Sequence, residues 1–108
     1  ESQEKVYDVV EVMPSFPGGQ SALMQYLGNN IQYPVKAQEN DVQGRVIINF
    51  VVENDGGISH VKVAKSADPA LDREAMRVVE TMPKWIPGKQ NGECVRVRYS
   101  VPVVFRLE

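Results

Sequence analysis

The stretch that most constrains this chain is its last, Val95 to Leu107, in which apolar side chains recur at every second residue. Val95, Val97, Tyr99, Val101, Val103, Phe105 and Leu107 fall on one face, and Arg96, Arg98, Ser100, Pro102, Val104 and Arg106 on the other. A period of two is that of a β-strand with one buried face. Pro102 has no N–H to give to a ladder, and proline sits in strands mainly at an edge or a bulge, so an edge strand is expected. An edge presents unpaired N–H and C=O groups. Proteins either defend such a row or use it to capture an extended peptide.

The preceding elements fit around this strand. Gly44 opens a hairpin: Val46, Ile48, Phe50 and Val52 share a face, Asn54-Asp55-Gly56-Gly57 makes the turn, and Ile58 to Lys65 returns with Val61 and Val63 inward. The other face of the first arm, Ile47, Asn49 and Val51, is more apolar than free exposure favours, and the N-terminal segment is a candidate to cover it. Asp68-Pro69 combines an N-cap acceptor with proline at N1, and Leu71, Ala75, Val78, Val79 and Met82 follow at helical spacing until Pro83. A strand, crossover helix and strand unit is right-handed and sets its two strands parallel. The final strand then lies beside the first arm and antiparallel to it; were it beside the second arm instead, the sheet would be mixed. It is outermost in both arrangements.

Shorter elements flank this unit. Val6 to Val12 reads as a short strand before a turn at Pro14, Pro17, Gly18 and Gly19. Leu23, Tyr26 and Leu27 place a short amphipathic helix over Gln20 to Leu27 that ends at Gly28, a residue suited to the left-handed C′ position. Pro34 to Asn40 reads as a second short helix, and Lys84 to Glu93 as a loop anchored by Trp85 and Ile86. The expected fold class is α+β: a three-stranded antiparallel sheet in the order second arm, first arm, final strand, packed on one face against two or more helices, with a short extra N-terminal strand.

The parity of the final strand carries a finer expectation. Backbone N–H and C=O of one residue point to the same side, which alternates along the strand. If Pro102 turns its missing donor outward, Arg96, Arg98, Ser100 and Val104 present their backbone outward and the odd residues bond to the first arm. A bulge near Pro102 would shift this parity. Thirteen residues at ~3.3 Å each extend roughly 43 Å, long enough for a bend or bulge to be expected.

Composition narrows the function. With 108 residues, one domain is expected. Twelve Lys and Arg against 14 Asp and Glu, a net charge of −2, give little support for nucleic acid or an anionic membrane as a partner. Cys94 is the single cysteine, so no internal disulfide forms; it reads as a free, partly buried thiol at the head of a strand. No run approaches the ~20 apolar residues of a membrane-spanning helix, and the start does not resemble a signal. Residue 1 is Glu rather than Met, so the chain is read as a fragment or processed product whose anchor would precede it.

No constellation looks catalytic, and no cofactor or metal is expected. His60 is the lone histidine, on a hairpin arm without Cys, Asp or Glu at ligand spacing. Ser66-Ala67-Asp68 reads as a helix cap, and Asp72 and Glu74, two apart on a helix, cannot flank one bond. The Asn54 to Gly57 stretch lacks the further acids of an EF-hand and a following helix for phosphate. Gly18-Gly19 is too slight for an anion site. Attention stays on the final edge, where Arg96, Arg98, Arg106 and Pro102 also suit a defended edge. Defence, peptide docking and pairing with a second copy of the chain are all open at this point.

The pattern of residues resembles a known family. Tyr33-Pro34 with Ala37, Gly44 with Val46, Ile48, Phe50 and Val52, Asp55-Gly56, Val61 and Val63, Ser66, Leu71-Asp72 with Ala75, Trp85 before Pro87-Gly88, and Val101-Pro102-Val103 with Phe105 are similar to the TonB C-terminal domain family. Met13-Pro14-Ser15-Phe16-Pro17-Gly18-Gly19 resembles an extension found on one branch of it, dividing the chain into an N-terminal extension, 1–30, and a TonB C-terminal-like domain, 31–108. The resemblance implies the periplasmic, receptor-binding end of an energy transducer. A membrane helix and proline-rich linker would join it to a proton-motive-force-driven motor in the inner membrane. The docking edge for the TonB box of outer-membrane transporters would be Val95, Arg96, Val97, Arg98, Tyr99, Ser100, Val101, Pro102 and Val104, acting by strand addition, in a monomer or a strand-exchanged homodimer. The alternatives are the C-terminal interaction domain of a membrane-bound sensor or peptidase-like protein, and a self-associating scaffold domain.

Overall fold

The computed structural model describes residues 5–107. In chain order the elements are β1 (Val6–Tyr7), α1 (Gly19–Asn30), α2 (Val35–Glu39), β2 (Gly44–Val52), β3 (Ile58–Lys65), α3 (Pro69–Glu80), β4 (Gly88–Gln90) and β5 (Glu93–Phe105). The sheet runs β1-β5-β2-β3, with β4 paired to β5 off this path. β2 is antiparallel to both β3 and β5, so β3 and β5 run parallel on either side of it, as the α3 crossover requires.

Strand parity sorts the core. Val46, Ile48, Phe50 and Val52 of β2 and Val97, Val101, Val103 and Phe105 of β5 are buried, while Arg98, Ser100, Pro102 and Val104 are exposed. Leu23 and Leu27 of α1 and Leu71, Ala75, Val78 and Val79 of α3 join one apolar cluster with all of these buried strand residues except Val97. Each fully buried Val, Leu, Ile or Phe contributes about 1.5–3 kcal/mol. α3 starts as its residues dictate: the Asp68 carboxylate accepts from the Ala70 N–H at 3.0 Å, with proline following the cap. α1, too short to persist alone, is tied to the C-terminal end of α3 by the Tyr26 hydroxyl, which donates to the Thr81 carbonyl at 2.8 Å, and by Arg77 Nη2, which donates to the Asn30 carbonyl at 2.9 Å.

Several boundaries differ from expectation, each for a tertiary reason. α1 continues through Gly28 to Asn30 and is capped at Ile31; the contacts from Arg77 and Tyr26 hold its last turn where Gly28 alone would release it. The N-terminal strand covers only Val6–Tyr7, although Val12 and Ser15 make isolated bridges to Lys89 and Ile86. The expected loop Lys84 to Glu93 contains β4, which folds onto β5 through Asn91 (φ 55) and Gly92 (φ 81). Two consecutive residues at positive φ make the tight hairpin geometry. No bulge interrupts β5: nine successive pairs run from Gly44↔Phe105 to Val52↔Val97. The irregularities lie between β2 and β3, where His60, at φ 53, falls within one register shift.

Candidate partner-docking edge

β5 is held along one side by β2, and Ile47 pairs with Pro102 in unbroken register. Pro102 has no N–H to give to β2, which fits a non-hydrogen-bonded pair with its backbone turned outward. By the period of two, Arg98, Ser100 and Val104 then turn their backbone groups away from β2. The expectation that β5 is outermost needs correction, since β1 lies beside it in parallel, pairing Val6 with Arg96 and Tyr7 with Val97. Among the described residues, no strand register extends along this outer side beyond Val97.

The nine residues of the expected edge thus divide. Val95 pairs with Gly88 of β4 and is buried with Val10 and Val97. Arg96 is half-buried and bonds Glu53, Nε to Oε1, at 2.7 Å. Burial pushes the Glu53 carboxyl up, but hydrogen bonds from Arg96 and Ser59 and the charges of Arg96 and His60 outweigh it and hold the group below its usual range. The exposed Arg98 reaches the Asp8 carboxylate at 2.5 Å. Tyr99 points into the core, its ring 5.2 Å from Trp85 and 6.0 Å from Phe50. Val101 is buried, and Ser100, Pro102 and Val104 are exposed. The open backbone therefore belongs to Ser100 through Val104, with β1 closing the head as far as Arg98.

Residues outside β5 complete this margin. Asp8 and Met13 line a hollow with Arg98, Tyr99 and Ser100. Met24, Gly28 and Ile31 line a groove of about 160 Å³ with Pro102 and Val104. Met13, Met24 and Val104 are exposed apolar side chains, at 39%, 42% and 49% of their full accessibility. Sequence reasoning did not single out Met13 or Met24 as edge residues. The spacing of Leu23 and Leu27 does put Met24 off the buried stripe of α1, but only the tertiary fold sets it beside β5. Methionine is an adaptable contact residue at surfaces that accept varied partners.

Other candidates lie elsewhere. His60 is exposed on β3, with its Nδ1 2.9 Å from Ser59 Oγ. Cys94 is exposed, where partial burial was expected. Its side chain lies on the even, outward parity of β5, next to a two-residue turn that offers it no cover. The partial burial of Ile47, Asn49 and the burial of Val51 agree with the apolar character of that face, and Val6 lines a hollow with Asn49, Val51 and Arg96.

The family profile described as the Gram-negative bacterial TonB protein C-terminal matches residues 29–107. The chain belongs to this TonB C-terminal family. It is similar to the protein TonB of Haemophilus influenzae, 35% identical over a 74-residue alignment that covers 62% of this chain and 27% of that protein. It is similar also to the protein TonB of Helicobacter pylori, 24% identical over 78 residues, 71% of this chain and 26% of that protein. The chain thus spans about a quarter of the length of these relatives. Two NMR solution structures of the H. pylori TonB C-terminal domain share its fold. The shorter has a TM-score of 0.61 at 20% identity, covering 82% of this chain and 92% of that one. The longer has 0.61 at 23%, covering 85% and 87%. In this TonB C-terminal domain β1, Met13 and most of α1 precede the matched residues; they are the parts that flank the open edge of β5.

Proposed function

We propose that this domain is the receptor-binding end of a TonB-like energy transducer. It works in the periplasm, tethered to the inner membrane and to its motor complex through a more N-terminal part of the protein. The TonB box of an outer-membrane transporter adds as a strand to β5, and the pairing passes on force derived from the proton motive force. The observation that carries this reading is the two-sidedness of β5: nine pairs to β2 on one side, and on the other an outward backbone from Ser100 to Val104 flanked by exposed Met13, Met24 and Val104. Arg98 and Pro102 also suit a defended edge, but the exposed Met13 and Met24 beside them offer adaptable apolar contact surface that defence does not need. Backbone pairing reads the ladder more than the side chains, which lets one domain serve many transporters. The domain acts by binding, not by catalysis.

The test is a titration of a TonB-box peptide into isotope-labelled domain. Amides of residues 96–104 should shift first. Shifts confined to the Asn54–Gly57 turn would overturn the reading. A concentration-dependent dimer in sedimentation that excludes the peptide would assign the edge to self-association.

A further inference from the structure

We infer that the segment Val6–Asp8 is a resident competitor for the docking edge: it occupies the head of β5 as a guest strand would, and a guest that pairs there must displace it. Three contacts make the occupancy. Val6 and Tyr7 pair with Arg96 and Val97; by the parity set at Pro102, the Tyr7 backbone meets the outward groups of Arg96 and Arg98. Asp8 places its carboxylate 2.5 Å from Arg98 Nη1. Tyr7 packs its ring against the small cluster of Val10, Val95 and Val97. Together these satisfy in cis the three features an incoming strand would use: two backbone groups, a cation and an apolar step.

The occupancy is weak by construction. A strand of two residues is far below the usual strand length of about 5–6, and both members of the Asp8–Arg98 pair are solvent-exposed, where ion pairs are worth little. β1 is therefore easily exchanged, in contrast with the long β2 pairing on the opposite side. It also lies ahead of the family-matched residues, in the part of the chain nearest to whatever precedes the domain. Tension on that preceding segment would pull β1 off β5 and expose Arg96 and Arg98 to the guest, which couples pulling to a longer guest ladder.

This inference rests on the docking function proposed above. It is tested with the whole 108-residue chain and a fluorescein-labelled peptide carrying the TonB box of a transporter from the same genome, followed by anisotropy. Tyr7→Pro removes the N–H that β1 offers to β5, and Asp8→Ala removes the ion pair without touching any buried group. Tyr7→Pro should bind the peptide about tenfold more tightly, the equivalent of one freed backbone contact, and Asp8→Ala about two- to fivefold more tightly. If Tyr7→Pro does not fold, Asp8→Ala decides alone. Wild-type affinity, or weaker binding, in the folded variants overturns the competition while leaving the docking function intact. Absence of binding by wild type and variants alike overturns the docking function, and the competition with it.

Discussion

Gly56 and Trp85 meet backbone to backbone: the Trp85 N–H donates to the Gly56 carbonyl at 2.8 Å, and a Cβ at Gly56 would lie 2.1 Å from the Trp85 carbonyl oxygen. Gly56 also sits at φ +89, a region that costs other residues of order 1–3 kcal/mol. The contact pins the β2–β3 turn to the residue whose indole packs against Phe16, Phe50 and Tyr99. Gly56→Ala should therefore destabilise the domain by about 2–4 kcal/mol, strain and overpacking adding. Gly92→Ala is the control: it shares a positive φ, +81, but its Cβ would meet nothing within 4 Å, so its cost should stay near about 1 kcal/mol. Urea unfolding followed by Trp85, the single tryptophan, measures both.

The Glu53–Arg96 pair predicts an acid-sensitive sheet end. Glu53 is held below its usual carboxylate range in the folded chain because the Arg96 and Ser59 hydrogen bonds and the nearby positive charges outweigh its burial. A folded-state value lower than the unfolded one stabilises the fold above the unfolded value, and that stability is lost as pH falls through the folded value. Glu74, lowered chiefly by its hydrogen bond from Arg77, acts in the same direction. Stability should then fall as pH drops from about 5 toward 3. Glu53→Gln should flatten that limb while costing about 1 kcal/mol at pH 7. Thermal unfolding across this pH range checks the slope, and an unchanged slope in Glu53→Gln would refute the assignment.

Much of this arrangement is legible in the amino-acid order, because strand parity is a local property: the alternation in Val95 to Phe105 and Val46 to Val52 reports which side chains face the helices, although Val51 on the other face is buried as well. Asp68-Pro69 fixes the start of α3 in the same local way. What escapes is decided between distant segments. Val6 and Tyr7 carry no pattern that would place them beside Arg96 and Val97. β4 is a polar Gly-Lys-Gln stretch without alternation, although Asn91-Gly92 is itself a hairpin signal. Gly28 lies inside α1 because Arg77 and Tyr26 secure the turn around it. Met13 and Met24 become edge residues only once α1 and the N-terminal segment are packed.

Cys94 offers a direct probe of the β4–β5 hairpin. It is exposed, paired across the hairpin with Lys89, and the only cysteine in the chain. The native domain should react with one equivalent of a maleimide, at a rate within about threefold of that in denaturant, since exposure removes the protection a buried thiol enjoys. A spin label there should leave the core unperturbed and broaden the amides of residues 88–90 and 93–95. A thiol that reacts only after unfolding would contradict the placement of this turn.

The parity of β5 can be tested with proline itself. Ser100 shares the parity of Pro102: its side chain is exposed, and its N–H faces away from β2 if Ile47 and Pro102 form a non-hydrogen-bonded pair. Ser100→Pro should cost the fold about 1 kcal/mol or less, because no ladder bond to β2 is lost, yet it removes a donor from the centre of the open edge. Val101 has the opposite parity, pairing with Ile48 and buried to 1% exposure. Val101→Pro should therefore destabilise by about 2–4 kcal/mol, a lost hydrogen bond plus an unsatisfied buried acceptor. Binding of a TonB-box peptide should fall at least about tenfold in Ser100→Pro while its unfolding midpoint stays near wild type. The reverse pattern, a fold lost in Ser100→Pro and retained in Val101→Pro, would invert the parity and turn the outward face of the ladder to the odd residues.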